Sequence, residues 1–385
     1  MRDILILAAA ALATFMASHA AAQPAVSFCP AGRLWSHSEE DARQVRSLLV
    51  PNIVISNPDG APLSVERVEI ALMDGDRVLD LRRLEAPELA RAGAMAPMVE
   101  QLGALLPGQF CGGQALGGLA PAASATVAPG QALVVMAQSF GWSGGRDAVR
   151  VTAFGTADGR PVEVSAAIPV DTGVSRTPIR FPLSGVWYVG AGGSAHSHHR
   201  WVVFEEFALD IARVGGDGLT RRGDGTRFED YHAYGAPVLA VADGTVVGML
   251  DGVPEDPEGM QKPGEAPEAY LGRLMALQGQ RLSEGPAGLI GNHVVIDHGG
   301  GEYSMYAHLK PGSVTVRVGQ AVRSGETIGA LGSSGNSTEP HLHFQMCDGP
   351  DPTGCHGLPP NFIGVRLPME LSPRSLQTGD IVAAD

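Results

Sequence analysis

The stretch Gly335-Asn-Ser-Thr-Glu-Pro-His341-Leu-His343-Phe344 runs from turn-forming residues into a His-x-His pair. Side chains alternate along a strand, so His341 and His343 leave the same face about 7 Å apart. Two imidazoles spaced in this way can serve one site. Nine of the twelve histidines fall between His196 and His343, and three groups stand out: His196-Ser-His198-His199, Tyr306-Ala-His308 and His341-Leu-His343.

A histidine alone in a strand is ordinarily a hydrogen-bonded structural residue, and here it is the combination that points to a metal. Zinc takes neutral imidazole nitrogens and carboxylates, and a catalytic zinc keeps three protein ligands with a fourth position for water. Asp210, in Phe207-Ala-Leu-Asp210-Ile211, places a carboxylate among apolar neighbours. An imidazole near such a site can take the proton of the attacking water, and a second can stabilise the developing oxyanion.

Around these residues the pattern predicts strands over 201–211, 237–250, 292–298, 303–309, 313–318, 327–331 and 341–346, with Gly299-Gly300-Gly301 closing a hairpin. Residues 251–285 differ in texture. They begin acidic and rich in Pro and Gly, then carry a helical stripe of Leu271, Leu274, Met275 and Leu282, as an insertion beside the sheet would.

Upstream, short strands are predicted over 52–56, 65–73, 132–138, 149–154 and 162–168, with one or two short helices over 84–106 broken near Pro97. Strands at this spacing suggest an immunoglobulin-like β-sandwich over 26–170. It carries no chemistry of its own and reads as a packing or positioning module. Residues 171–182 form the expected linker, and the second domain runs over 183–385. The fold class is mainly β.

Residues 1–22 read as a signal peptide: Arg2, an apolar run from Ile4 to Phe15, and Ala20-Ala21-Ala22 before Gln23. No later run is long enough to span a membrane. A periplasmic or secreted protein is therefore expected, with no transmembrane segment after cleavage. Four cysteines entering an oxidising compartment suggest two disulfides. The short loop between Cys347 and Cys355 makes those two the expected pair and leaves Cys29 for Cys111, although spacing alone does not fix the connectivity. The formal charge of −14, with 27 basic residues against 41 acidic, argues against nucleic-acid binding.

Four stretches together make the sequence recognisable: Tyr234-Gly-Ala-Pro-Val-Leu-Ala-Val-Ala-Asp-Gly-Thr-Val246, Gly291-Asn-His-Val-Val-Ile-Asp-His298, Tyr306-Ala-His308-Leu309 and the His341-x-His343 stretch. From about residue 185 to 363 the chain resembles the lysostaphin-type, or LytM, zinc endopeptidases. The resemblance implies a groove on an antiparallel β-sheet, one zinc per chain, and a peptide substrate, within bacterial peptidoglycan above all. It assigns Asp210 and His343 as metal ligands and His308 and His341 as the catalytic pair.

The first ligand departs from the usual form, which places a His four residues before the Asp, where this chain has Glu206. A divergent branch of the family sets the His upstream, before an Arg. His199-Arg200 stands in that place, so His199 is the expected third ligand, with His198 or Glu206 as alternatives. Some relatives keep the fold without the metal site and act as wall-binding or amidase-activating regulators. Oligomeric state is not legible in the sequence.

Overall fold

A computed structural model describes residues 23–40, 44–370 and 374–385. The expected signal peptide lies outside the described residues. Two cores organise the chain, one drawn from residues between Val26 and Val170 and the other from residues between Ile179 and Ala384.

The first core is closed by two antiparallel layers. Val45–Asn57 pairs with Ala25–Cys29, Leu34–Glu40 and Gln131–Ser143 on one side. On the other, Leu63–Asp74 pairs with Arg77–Leu84 and Ala148–Ala157, which also pairs with Arg160–Asp171. A short parallel pairing of Val170-Asp171 with Leu34-Trp35 joins the layers. In Ala148–Ala157 the side chains of Val149, Val151 and Ala153 are buried while Arg150 is exposed, the period of two that a half-buried strand shows. The helical segment is two helices, Ala86–Ala94 and Ala96–Leu105, with Pro97 in the first turn of the second, where its missing N–H costs nothing.

The second core lies under a curved antiparallel sheet. Its middle three strands are Tyr303–Leu309, Leu342–Cys347 and Leu209–Ala212, neighbours in that order. Leu209, Ile211, Leu342, Phe344 and Tyr306 face the core, so alternation sends Asp210, His343 and Gln345 to the opposite face.

Three expectations need correction. Only Leu209–Ala212 of the stretch 201–211 is strand. His198–Trp201 is a 3-10 turn and residues 202–207 continue in turns, where the Glu205 and Ala208 amides close turn bonds and the Val203 amide is taken by Gln109. Residues 313–318 are not a strand; Val314 and Val316 pack on the core from irregular backbone. The insertion does hold a helix, Pro267–Ser283, but its stripe is only half covered: Leu274 and Leu282 are half-buried, Leu271 and Met275 are exposed, and the buried side chain is Arg281.

Disulfides link Cys29 to Cys111 and Cys347 to Cys355. No helix of the described residues is long and apolar enough to cross a membrane.

Candidate metal centre

Asp210 and His343 are directly paired across their two strands, and Ala307 is the partner of His343 on the other side. Three adjacent strands therefore deliver Asp210, His343 and His308 to one patch. Strict alternation would bury His308 beside Tyr306. Instead Asn292–Val294 spans two steps against three for Leu309–Tyr306, a bulge, and His308 takes the left-handed conformation at φ +61°. One extra residue re-aims the ring onto the Asp210 face, at the modest backbone cost that non-glycine residues bear there.

His341 enters from the loop ahead of its strand. Gly335 shapes that loop: its φ is +73°, and a Cβ there would lie 2.5 Å from the Gly291 nitrogen. His199 arrives on the 3-10 turn. The carboxylate of Asp210 thus has His343 Nδ1 at 3.1 Å, His199 Nε2 at 3.3 Å and His341 Nε2 at 3.4 Å. His308 packs at the edge of this group, its ring centroid 4.8 Å from that of His341 and 5.9 Å from that of His343, the planes tilted by 56° and 76°.

The outer nitrogen of each ring meets an oxygen that can only accept. His199 Nδ1 lies 3.2 Å from the Ala208 carbonyl, His341 Nδ1 2.8 Å from the Glu339 carbonyl and His308 Nδ1 2.8 Å from the Ser334 carbonyl. His343 Nε2 lies 2.9 Å from Gln345 Oε1, and that amide is oriented by its own donation to the Pro352 carbonyl. The network therefore assigns the proton of each neutral ring to the outer nitrogen. Three bare nitrogens then converge on a carboxylate, which is also only an acceptor.

Acceptors crowded in this way need a cation between them, either protons on the rings or a metal. Protons are the answer when no metal is bound. Burial lowers the pKa of His199, His341 and His343, but the charge and hydrogen bonds of Asp210 outweigh it and hold all three raised. Burial works to raise Asp210, yet His199 and His341 hold it well below the carboxylate range. A divalent cation would take the place of those protons. The donor set fits zinc: a carboxylate and imidazoles, each imidazole oriented from behind by a second hydrogen bond.

The alternatives for the first ligand separate clearly. Glu206 faces away, buried against His37 of the sandwich, with its oxygen 3.2 Å from His37 Nε2. His198 does lie close, its donor atom within 4.8 Å of those of His199 and Asp210, but its side chain is 73% exposed and 3.7 Å from Asp210. His199 is buried and anchored from behind. Three other histidines have structural partners: His293 on the Gly291 carbonyl, His298 between the Asp243 carbonyl and Ser304, and His232 beside Arg222. Gln345 was not singled out from sequence, although its place two residues after His343 puts it on the same strand face.

The profile of peptidase family M23 matches residues 275–353. The chain carries an M23 peptidase domain. The match takes in His308, His341 and His343 and does not extend to His199 or Asp210. The chain is 33% identical over 93 residues to the peptidoglycan DD-endopeptidase ShyA of Vibrio cholerae, covering 24% of this chain and 20% of that protein. It is 40% identical over 85 residues to the DD-carboxypeptidase/endopeptidase Mpg of Neisseria gonorrhoeae, covering 22% and 17%. The chain thus spans a fifth or less of the length of these curated relatives. The catalytic domain of lysostaphin from Staphylococcus simulans is 19% identical with a TM-score of 0.24, covering 45% of this chain and 88% of that one.

Proposed function

We propose that the chain is an exported, zinc-dependent metalloendopeptidase that hydrolyses peptide bonds in bacterial peptidoglycan. The observation that carries this reading is the convergence of bare imidazole nitrogens on the Asp210 carboxylate, with two further histidine functions beside it. His199 Nε2, His343 Nδ1 and Asp210 are the ligands, one zinc per chain. Bound there, zinc supplies Lewis acidity and a water whose pKa is brought near neutrality.

The chain's own residues do the rest. Burial, reinforced by His341 and His343, holds the pKa of His308 well below the usual imidazole value. His308 therefore stays neutral, with Nε2 free to accept a proton and its ring fixed by the Ser334 carbonyl. His341 is held by the Glu339 carbonyl with Nε2 turned toward Asp210, so that its charged form donates from Nε2 toward developing negative charge. The peptidoglycan substrate follows the names of the relatives, and a periplasmic or secreted location follows the substrate and residues 1–22. A regulator that uses the same fold without catalysis has no need of these four oriented imidazoles.

Purified peptidoglycan incubated with the protein should release new amino groups, abolished by chelator and restored by zinc. No release under any metal condition would overturn the reading.

A further inference from the structure

Two of the proposed ligands belong to paired strands, but His199 does not. Its segment, residues 198–207, holds itself together only through turn bonds such as Val202 N–H to the His199 carbonyl, at 3.0 Å, and Glu205 N–H to the Val202 carbonyl, also at 3.0 Å. Its own domain adds the Gly357 N–H to the Val203 carbonyl, at 3.0 Å, and the packing of Phe204 on Cys347 and Cys355, and further support comes from the other domain. Gln109, on the 3-10 segment Pro107–Leu116, accepts from the Val203 N–H at 3.0 Å and donates to the Trp201 carbonyl at 3.2 Å. Asn52 in the sandwich sheet donates to the Gln109 carbonyl at 2.8 Å, and the Cys29–Cys111 disulfide ties the same segment to the first strand.

A second set of contacts grips the segment from the strand Leu34–Glu40. Arg200 is 1% exposed and reaches Glu39 Oε1 at 3.4 Å. His37 hydrogen-bonds Glu206 and stacks on Phe207, centroids 4.2 Å apart and planes 17° from parallel. The position that usually supplies the first ligand has become a docking residue. The fit leaves no slack: a Cβ on Gly108 would sit 1.8 Å from the Thr353 carbonyl oxygen of the peptidase domain.

We propose that the N-terminal sandwich is a structural part of the metal centre, with Gln109 and His37 as positioning residues that hold the His199 segment in reach of the zinc. This rests on the ligand set proposed above. Without that grip the turn segment keeps only its contacts with Gly357, Cys347 and Cys355, and a third ligand that is less firmly held costs affinity.

The test is zinc affinity, measured on the full chain by competition with a chromophoric chelator at a temperature well below unfolding. Gln109→Ala and His37→Ala should each weaken zinc binding by about tenfold, as loss of ligand-orienting contacts does. Gln109→Glu keeps the acceptor for Val203 but loses the donor, so its affinity should fall between Gln109→Ala and wild type. Val149→Ala, in the sandwich core away from the segment, should lower the melting temperature and leave affinity unchanged. Wild-type affinity in both Gln109 variants, or an equal loss in Val149→Ala, would overturn the positioning role while leaving the ligand set standing. Failure of the wild-type chain to bind zinc would instead overturn the ligand set, and the positioning role with it.

Discussion

Asp210 and His343 face each other across a single strand pairing, with His343 Nδ1 3.1 Å from Asp210 Oδ1. Backbone register alone holds these two groups in contact, whereas His308, His341 and His199 each need a bulge, a loop or a second domain to join them. That difference in support separates the consequences of losing each residue.

His343→Ala should abolish metal retention and peptide hydrolysis together. His308→Ala should keep the metal and lose turnover by a factor of about 10²–10⁴, the usual range for a proton-transfer group. Metal content measured beside the rate on each variant checks this, and metal loss in His308→Ala would show that the roles are wrongly divided.

The interdomain pair His37 and Glu206 sets a pH dependence of stability. Burial raises Glu206 to about 8 against the lowering influence of Arg200, and burial with Arg200 depresses His37. His37 Nδ1 donates to the Gly193 carbonyl, so its bare Nε2 accepts from a protonated Glu206. Between the unfolded carboxyl value of 4.5 and about 8 the folded state holds more protons at Glu206 than the unfolded state, so stability from this group falls as pH rises. His37 acts in the opposite sense, but only below its unfolded value of 6.5. The net fall should therefore show from pH 6.5 to 8, by about 2 kcal/mol at about 1.4 kcal/mol per unit. Denaturation midpoints across that window should flatten in Glu206→Gln.

Glu255 in the insertion accepts from the Ser333 N–H at 2.8 Å and from the Tyr234 hydroxyl at 2.7 Å. Ser333 in turn donates to Ser337, which touches His341. Glu255→Ala should cost about 1–3 kcal/mol through the unpaired groups it leaves and lower kcat with zinc content intact. Thermal melts and steady-state rates on the same preparation check both parts.

Loop length ranks the disulfides. Cys29–Cys111 closes a separation of 82 residues and Cys347–Cys355 one of 8. Chain-entropy scaling gives about 4–5 kcal/mol for the first and about 2–3 kcal/mol for the second. Denaturant titration of the two double Cys→Ser variants should preserve that order.

The mainly β architecture was legible because alternation survives in the sequence wherever one strand face meets a core, as at Val149 to Ala153 or Leu342 to Phe344. His343 and Asp210 could be placed on one face for the same reason. His308 could not, since its orientation depends on a bulge and a positive φ that its residue type does not announce. The 201–207 stretch reads as strand because it is apolar, but Val203, Phe204 and Phe207 are buried by packing around turns rather than by a sheet. Contacts such as Gln109 with Val203, across 94 positions of chain, have no local signature.

The most direct test of the central claim is zinc content by elemental analysis of the protein purified without chelator, alongside His199→Ala. About one zinc per chain in the wild type, lost in the variant, is the predicted result. A zinc-free wild type, or a variant that retains its zinc, would contradict the His199, Asp210 and His343 centre.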